Sequence, residues 1–292
     1  MFEIKTPATS ANIGPGFDTL GLSLNKYNYV NFKKDKNLFK ITGSDSRFLN
    51  EDNLIYRSFR ETEKLFYKNS ENINIDVKSC IPQSRGLGSS ASCVVSGVVG
   101  AMLMHGININ KKDILSIATT LEGHPDNVAP CIYGGLTASF KSNKYIYTEK
   151  YEVSKDIIFY AFVPDFELST KDSRNILPYK VKHSDAVFNL SRIPFLIKGL
   201  IKGDMELIKE SIEDKLHQPY REKIVNEIDY IKNIIKNSGN AYYLSGAGPT
   251  VMCISKNKSI EKKLNKEILS LKKNWKILKL EVDNEGISYR GK

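Results

Sequence analysis

The stretch that most restricts how this chain can fold is Ile81-Pro82-Gln83-Ser84-Arg85-Gly86-Leu87-Gly88-Ser89-Ser90-Ala91-Ser92. Glycines leave its backbone bare, hydroxyls stand beside them, and a run of small apolar residues follows at once. A polyanion suits such a sequence. The first turn of a helix has unpaired N–H groups and a partial positive charge, and residues without side chains let phosphate oxygens reach those donors. A Walker A loop needs a Lys directly after its last Gly; here Gly88 is followed by Ser89 and Ser90, which excludes it. Gly86-x-Gly88-x-x-Ala91 satisfies the dinucleotide fingerprint formally, but that fingerprint follows a buried strand, whereas Ile81 to Arg85 is polar and contains Pro82. A Gly/Ser turn that merely starts a buried helix is the bland alternative.

With 292 residues, of which 41% are hydrophobic, the chain can build one large or two ordinary domains, and disorder is not expected. Met1 to Pro7 has no apolar core of signal-peptide length, and the nearly apolar run Ala91 to Met104 is too short to cross a bilayer. A cytoplasmic protein without a membrane partner is expected. Cys80, Cys93, Cys131 and Cys253 lie far apart, with no C-x-x-C pair, so neither a zinc site nor a disulfide framework is indicated. A net charge of +10 raises the question of nucleic acid, yet only eight of the 43 basic residues are Arg and the lysines are scattered. Readers of nucleic acid concentrate Arg on one surface, so solvated lysines explain the charge better and no nucleic-acid partner is expected.

In chain order, Phe2 to Thr6 reads as a short strand, followed by a side-chain-poor loop, Pro7 to Gly21, whose exposed polar groups are Asn12 and Asp18. Alternation in Leu22 to Phe32 and at Phe39 and Ile41 suggests antiparallel strands. A helix capped by Asp52 places Leu54, Ile55, Ser58, Phe59, Thr62, Leu65 and Phe66 on one face, and Ile73, Ile75 and Val77 form a strand into the glycine loop. The helix from about Ser89 to Met104 is apolar nearly all round and should be the central one; Gly97 and Gly100 within it imply close packing against another backbone. His105 and Gly106 end it. Asn110 caps the next helix, with Ile114, Leu115, Ile117, Ala118 and Leu121 inward. That helix delivers Glu122-Gly123-His124-Pro125-Asp126-Asn127-Val128-Ala129-Pro130, read as a Pro-flanked turn crowded with polar groups. A carboxylate there could serve a nucleotide-bound Mg²⁺, which takes one or two protein oxygens beside the phosphates; a polar helix end is the structural alternative. Tyr133 to Phe140 and Tyr145 to Thr148 form a hairpin.

Patterning lapses around Lys150 to Lys155, and a domain boundary is placed there, giving residues 1–152 and 153–292. The second half opens with a strand, Ile157 to Val163, and a capping box, Ser169-Thr170-Lys171-Asp172, that puts Arg174 in an early helical turn. Helices follow at about Ala186 to Leu200, Met205 to Ile212 and Glu222 to Asn237, with a polar break, Leu216-His217-Gln218-Pro219-Tyr220-Arg221, before the last. Strands at Tyr242 to Leu244 and Val251 to Ile254 flank the turn Ser245-Gly246-Ala247-Gly248-Pro249-Thr250, equally readable as a plain hairpin. A helix, Ser259 to Lys273, and a strand, Lys276 to Val282, complete an α+β layer.

P-x-x-x-G-L-G-S-S-A resembles the phosphate motif of the GHMP kinases, and Pro7–Gly21, Ile81–Ser92 and Ser245–Thr250 stand in the order and spacing of that superfamily's three motifs. The wording P-A-T-S-A-N-x-G-x-G-F-D, with E-G-H-P-D-N-V-A-P, S-T-K-D-S-R and L-H-Q-P-Y-R, is similar to the homoserine kinase family, and the similarity spans essentially the whole chain. The resemblance implies an α+β fold of two domains, one like the second domain of ribosomal protein S5 and one ferredoxin-like, with ATP, Mg²⁺ and L-homoserine as ligands and a homodimer as a compatible assembly. Under it, Pro82 to Ser92 wrap the ATP phosphates, Ser90 and Glu122 hold Mg²⁺, Asp18 meets the substrate ammonium, and Arg174 and Arg221 meet its carboxylate with His124 nearby. Asn12 and Asn127 would orient the hydroxyl. Asp126 is a candidate base or a structural residue. A kinase for another small alcohol, such as an isoprenoid precursor, would not need the ammonium and carboxylate pair. A basic RNA-binding protein lacks the arginines, and a serine hydrolase lacks a G-x-S-x-G elbow.

Overall fold

The structure is a computed structural model, described for residues 1–35, 39–67 and 72–291. Strand β1 (Phe2–Ala11) is antiparallel to β2 (Leu20–Lys34). It runs well past Thr6, where the sequence places its end. Pro7 lacks the N–H that a ladder needs, and the register shifts between Pro7 and Ala8, so the strand passes the proline on an irregularity and resumes. Burial of residues 6–11 rewards that continuation, and the side-chain-poor loop shrinks to residues 12–19.

Strand β3 (Lys40–Thr42), helix α1 (Leu54–Phe66) and strand β4 (Ile73–Lys78) follow. β3 pairs parallel to β4, not antiparallel as alternation suggests, because a helix lies between them and parallel neighbours need such a crossover. Asn53, not Asp52, caps α1: its Oδ1 accepts from the Ile55 N–H at 2.9 Å. Ile55, Ser58, Phe59 and Thr62 are buried as the periodicity indicates, but Leu65 and Phe66 in the last turn are exposed.

Helix α2 (Ser89–Met104) is the hub of this half, packed on α1, β1 and helices α3 (Lys111–Glu122) and α4 (Pro125–Tyr133). A Cβ on Gly97 would lie 2.4 Å from the Ile55 carbonyl oxygen, and one on Gly100 would lie 2.5 Å from the Phe32 ring. Gly97 is therefore what lets two helix backbones touch. The helix stops in a Schellman arrangement, Ile107 N–H to Met102 O and Gly106 N–H to Leu103 O, while the His105 ring binds Glu63 at 2.8 Å and ties α2 to α1. Asn110 caps α3 as its sequence position indicates, though Leu121 is exposed. A hairpin of β5 (Leu136–Lys141) and β6 (Ile146–Tyr151) joins the sheet through β2.

The second half is built on a four-stranded antiparallel sheet. Its parts, in chain order, are β7 (Ile158–Pro164), α5 (Thr170–Asn175), α6 (His183–Lys202), α7 (Met205–Ser211), α8 (Gln218–Arg221), α9 (Ile228–Asn237), β8 (Ala241–Leu244), β9 (Val251–Ser255), α10 (Glu261–Glu267) and β10 (Trp275–Leu280), with strand order β10-β7-β9-β8. A last strand, β11 (Ser288–Gly291), which sequence pattern misses, returns to pair with β1 in the first sheet. β7 is buried along its whole length because both faces of its sheet are covered. Phe159 and Tyr243 share one buried apolar cluster with Ala8 and Leu22 of the first half, and Tyr160 and Phe162 share another with Ile231 and Leu264. The two halves are thus joined by a common core.

Two helical expectations are corrected here. The run Glu222 to Asn237 breaks at Glu227, whose φ of +60° ends one turn and starts α9; its carboxylate accepts from the Lys272 and Lys273 N–H groups and from Trp275 Nε1, contacts more than 40 residues away. The supposed polar break before it is α8 itself. α10 is also shorter than the pattern Ser259 to Lys273. No helix among the described residues is long and apolar enough to cross a membrane.

Gly97→Ala tests the helix contact. Alanine gains about 1 kcal/mol in helix propensity, but overpacking against a backbone carbonyl costs about 1–3 kcal/mol. Net destabilisation is expected in urea denaturation, and unchanged or raised stability would show that α1 and α2 do not approach so closely.

Candidate active site

The glycine turn does present a bare helix start. Gly88 is the N-cap of α2 with φ +66° and supplies no capping side chain; the first amide bonded back into the helix is Ser92 N–H to Gly88 O at 3.0 Å. The N–H groups of Ser89 and Ser90, which line the cleft, are left to a ligand. A Cβ at Gly88 would stand 1.8 Å from Thr9 Oγ1, so glycine is required both by its backbone angle and by β1. A Cβ at Gly86 would be 2.4 Å from the Ser245 carbonyl oxygen. The second glycine turn is therefore more than a hairpin: Ser245 Oγ donates to Gly86 O at 2.6 Å, the Thr250 N–H to Arg85 O at 3.3 Å, and the Gly246 N–H to Ala11 O at 2.9 Å. It clasps the phosphate-type turn against the end of β1.

Not every residue of Pro82 to Ser92 faces the cleft. Gln83, Ser84, Arg85, Gly86, Gly88, Ser89 and Ser90 line it, whereas Pro82 does not, and Leu87 and Ala91 are fully buried in the core. Ser92 spends its hydroxyl on Thr6 and Asn28. The Arg85 guanidinium turns toward the second half, donating to Pro164 O, Asp165 O and Gln83 O and pairing with Glu167 at 3.1 Å, so it fastens the turn rather than facing a phosphate. Asn28 was missed. Its Oδ1 accepts from the Cys80 and Ile81 N–H groups and fixes the entry to the turn; a polar residue within the β2 pattern was the only signal.

The crowded Glu122 to Pro130 segment is a helix junction, not a turn. α3 ends on Gly123 at φ +95°, and Pro125 opens α4 at a position where its missing N–H costs nothing. Asp126 and Asn127 accordingly sit in the first turn of α4. Glu122 accepts from Ser90 Oγ at 2.8 Å; burial raises its carboxyl above the ordinary value, and the Ser90 bond opposes that only in part. Asp126 is buried and pushed up to about 7, first by burial and then by the Asp18 charge, with the Asn127 N–H at 3.0 Å acting the other way. Thr9 Oγ1 donates to Asn127 Oδ1 at 2.8 Å and so directs the amide. Burial lowers the His124 imidazole below its usual value.

Opposite stands the loop after β1. Asn12 and Asp18 both have positive φ, +58° and +51°, backbone strain of the sort that gathers at functional sites. Asn12 Oδ1 accepts from the Asp18 N–H at 2.8 Å and its Nδ2 donates to Gly246 O at 3.0 Å, leaving one amide hydrogen for the cleft. Asp18 and Arg174, which the sequence assigns to opposite ends of a zwitterion, are paired with each other in a bidentate bridge of 3.0 and 3.1 Å. Arg174 rides on α5, whose N-cap Ser169 accepts from the Asp172 N–H as the capping box requires. Arg221 is 1% exposed, donates to Gly246 O at 2.9 Å and Ser173 O at 3.2 Å, and has its pKa lowered to about 10, chiefly by burial.

All these groups share one cleft of about 570 Å³: the turn before α2, Glu122, His124, Asp126 and Asn127 from the α3–α4 junction, and Asn12, Asp18, Arg174 and Arg221 across from them. Leu54, Ile55 and Val77 give it an apolar end. Fold and cleft define a class, two-lobed α+β proteins that can seat a polyanion on an uncapped helix start and a small charged molecule beside it. The family models described as GHMP kinases N terminal domain and GHMP kinases C terminal match residues 53–135 and 196–268. Homoserine kinase of Clostridium botulinum (strain Okra / Type B1) is 42% identical over 292 residues, covering 98% of this chain and 97% of that one. Homoserine kinase of Clostridium beijerinckii is 40% identical over 291 residues, with the same coverage. The crystal structure of homoserine kinase from Cytophaga hutchinsonii superposes with a TM-score of 0.86 at 28% identity, covering 99% of this chain and 97% of that one. The chain belongs to the GHMP kinases, and within them to the homoserine kinase family.

Asp126 gives the site a pH signature. Its carboxyl holds a proton in the folded chain up to about pH 7, but in the unfolded chain only up to about 4. The stability this contributes is complete below about pH 4 and is lost as pH rises through 7. Asp126→Asn, neutral throughout, escapes the loss and should gain on the order of 2–4 kcal/mol over the parent between pH 4 and 8. Urea titrations at the two pH values that gave a constant difference between the proteins would contradict the assignment.

Proposed function

We propose that this cleft transfers the γ-phosphoryl group of ATP to the side-chain hydroxyl of L-homoserine, giving O-phospho-L-homoserine. The observation that carries the reading is the meeting, in one cleft, of free first-turn amides on α2 with a carboxylate and two guanidiniums on the far wall. Homoserine is an alcohol that is also a zwitterion, so it needs an anion for its ammonium and cations for its carboxylate. Asp18 supplies the first, Arg174 and Arg221 the second. Because Asp18 and Arg174 satisfy each other, the substrate enters by exchange, its two charged ends replacing the partners of a half-exposed bridge. An isoprenoid-type alcohol has no ammonium and would leave Asp18 without a role, so it is the poorer reading.

The amides of Ser89 and Ser90 hold phosphate oxygens, and the turn 245–250 braces that cradle. Ser90 Oγ and Glu122 Oε2, 2.8 Å apart, are hard oxygen donors, and the raised Glu122 carboxyl is a group that an adjacent cation would return to its ionised form. That donor set fits Mg²⁺. Mg²⁺ takes one or two protein oxygens and completes its shell with phosphate oxygens and water. When bound, Mg²⁺ neutralises charge on the transferring phosphate. Asn127, directed by Thr9, and the remaining Asn12 amide hydrogen orient the acceptor hydroxyl. Asp126, near neutrality and buried, is available to take its proton, although positioning and charge stabilisation do most of the work in phosphoryl transfer.

A coupled assay of ADP release should show turnover dependent on L-homoserine and none with mevalonate, galactose or shikimate; absence of homoserine-dependent turnover would reject the proposal. In the same assay Glu122→Gln should lower kcat by about 100-fold, and Arg174→Ala should raise KM for homoserine by roughly 10–100-fold with a smaller effect on kcat. The opposite pattern would exchange the two roles.

A further inference from the structure

Behind the guanidiniums lies a buried assembly that the reaction itself does not call on. The Phe17 ring is stacked on the His217 ring, centroids 5.1 Å apart and planes 19° from parallel. The same Phe17 ring lies 5.1 Å from Arg221 Cζ and 5.8 Å from Arg174 Cζ, within cation–π range of both. His217 is fully buried, and its Nε2 stands 3.0 Å from the Gly14 carbonyl oxygen. A carbonyl only accepts, so Nε2 carries the proton, and Nδ1 is left without a protein partner. An apolar core residue would avoid that unpaired nitrogen.

His217 is held in turn by Asp214. Its Oδ2 accepts from the His217 N–H at 2.8 Å and the Gln218 N–H at 2.6 Å, and its Oδ1 accepts from the Leu216 N–H at 3.0 Å, closing the start of α8. Asn189 of α6 donates to Asp214 Oδ1 and, at 3.1 Å, to the Pro15 carbonyl oxygen. Two successive carbonyls of the loop, Gly14 and Pro15, are therefore fastened to the group that begins α8, and α8 ends on Arg221. Asp18 follows Phe17 directly in the chain. Loop carboxylate and helix guanidinium are thereby referred to a common anchor. Burial lowers the His217 imidazole below its ordinary value, with the Asp214 carboxylate, 3.5 Å from Nε2, acting the other way.

We propose that Asp214, His217 and Phe17 form a positioning relay that sets the spacing between Asp18 and the guanidiniums of Arg174 and Arg221, and with it the requirement for an acceptor bearing both ammonium and carboxylate. The proposal rests on the acceptor reading above. Phe17 and His217 are positioning residues, since neither need touch the substrate. A loose relay would leave the phosphate cradle intact and blur only the far wall of the cleft.

The test uses the full chain with L-homoserine and two half-substrates, 4-hydroxybutyrate, which lacks the ammonium, and 3-aminopropan-1-ol, which lacks the carboxylate. Phe17→Leu, which removes the ring, should raise KM for homoserine roughly tenfold and shrink its advantage over both half-substrates, with kcat and KM for ATP changed by less than about twofold. Phe17→Tyr should restore the parent values, and His217→Gln, which keeps a donor for the Gly14 carbonyl, should disturb KM less than His217→Leu. Crystals of Phe17→Leu grown without acceptor should show the Asp18–Arg174 bridge shifted or broken. Parallel changes in both KM values and kcat, an unaltered preference, or an unmoved bridge would overturn the relay. Were the parent protein to turn over no homoserine, the acceptor assignment would fall by itself, and the position of the bridge in the variant crystals would still decide the relay.

Discussion

Everything in this molecule is arranged around the unpaired amides at the start of α2. A helix start is a site of positive potential only if its N–H groups point at a ligand and not at the protein's own side chains. Gly88 secures that by giving the helix an N-cap with no side chain at all. The surroundings then make glycine obligatory, since Thr9 fills the space that any Cβ would need. The neighbouring strand that excludes a side chain at Gly88 also aims Asn127 through the Thr9 hydroxyl. One residue of β1, Thr9, thus joins the start of α2 to Asn127 of α4.

The two halves contribute unequally. The first supplies the glycine turn, Ser90 and the carboxylates of Asp18, Glu122 and Asp126; the second supplies Arg174, Arg221 and the brace formed by Ser245 and Gly246. They share one buried apolar cluster, which includes Phe159, Tyr243, Ala8 and Leu22. Burial then shapes the electrostatics: it raises Glu122 and Asp126 and lowers His124 and Arg221, disfavouring the charged form of each. Asp18 and Arg174 are instead paired with each other.

Local rules made much of this legible. Helix α2 runs from Ser89 to Met104, as its small apolar residues and following glycine indicate, and Asn110 and Ser169 cap the helices expected of them. Most of the motif residues singled out meet in one cleft, while Pro82, Leu87, Ala91 and Ser92 stand outside it. What sequence pattern missed depends on distant partners. β1 continues through Pro7 because buried residues on its far side repay an irregular register. Glu227 breaks a helix because three donors from another segment wait for its carboxylate. Asp126 and Asn127 look like turn residues by composition, yet Pro125 is also the proline of a helix start, and only packing of α4 on α2 and β1 selects between these. Asn28 and Asp214 had no motif to announce them, since their value lies in the backbone groups they hold.

The account stands or falls on what occupies the amides of Ser89 and Ser90. A crystal structure of the protein with a non-hydrolysable ATP analogue answers this most directly. The result expected is a triphosphate whose oxygens accept hydrogen bonds from those two N–H groups, with the rest of the nucleotide running toward Leu54, Ile55 and Val77. A nucleotide bound elsewhere, with the start of α2 facing solvent or closed by the chain's own side chains, would contradict it.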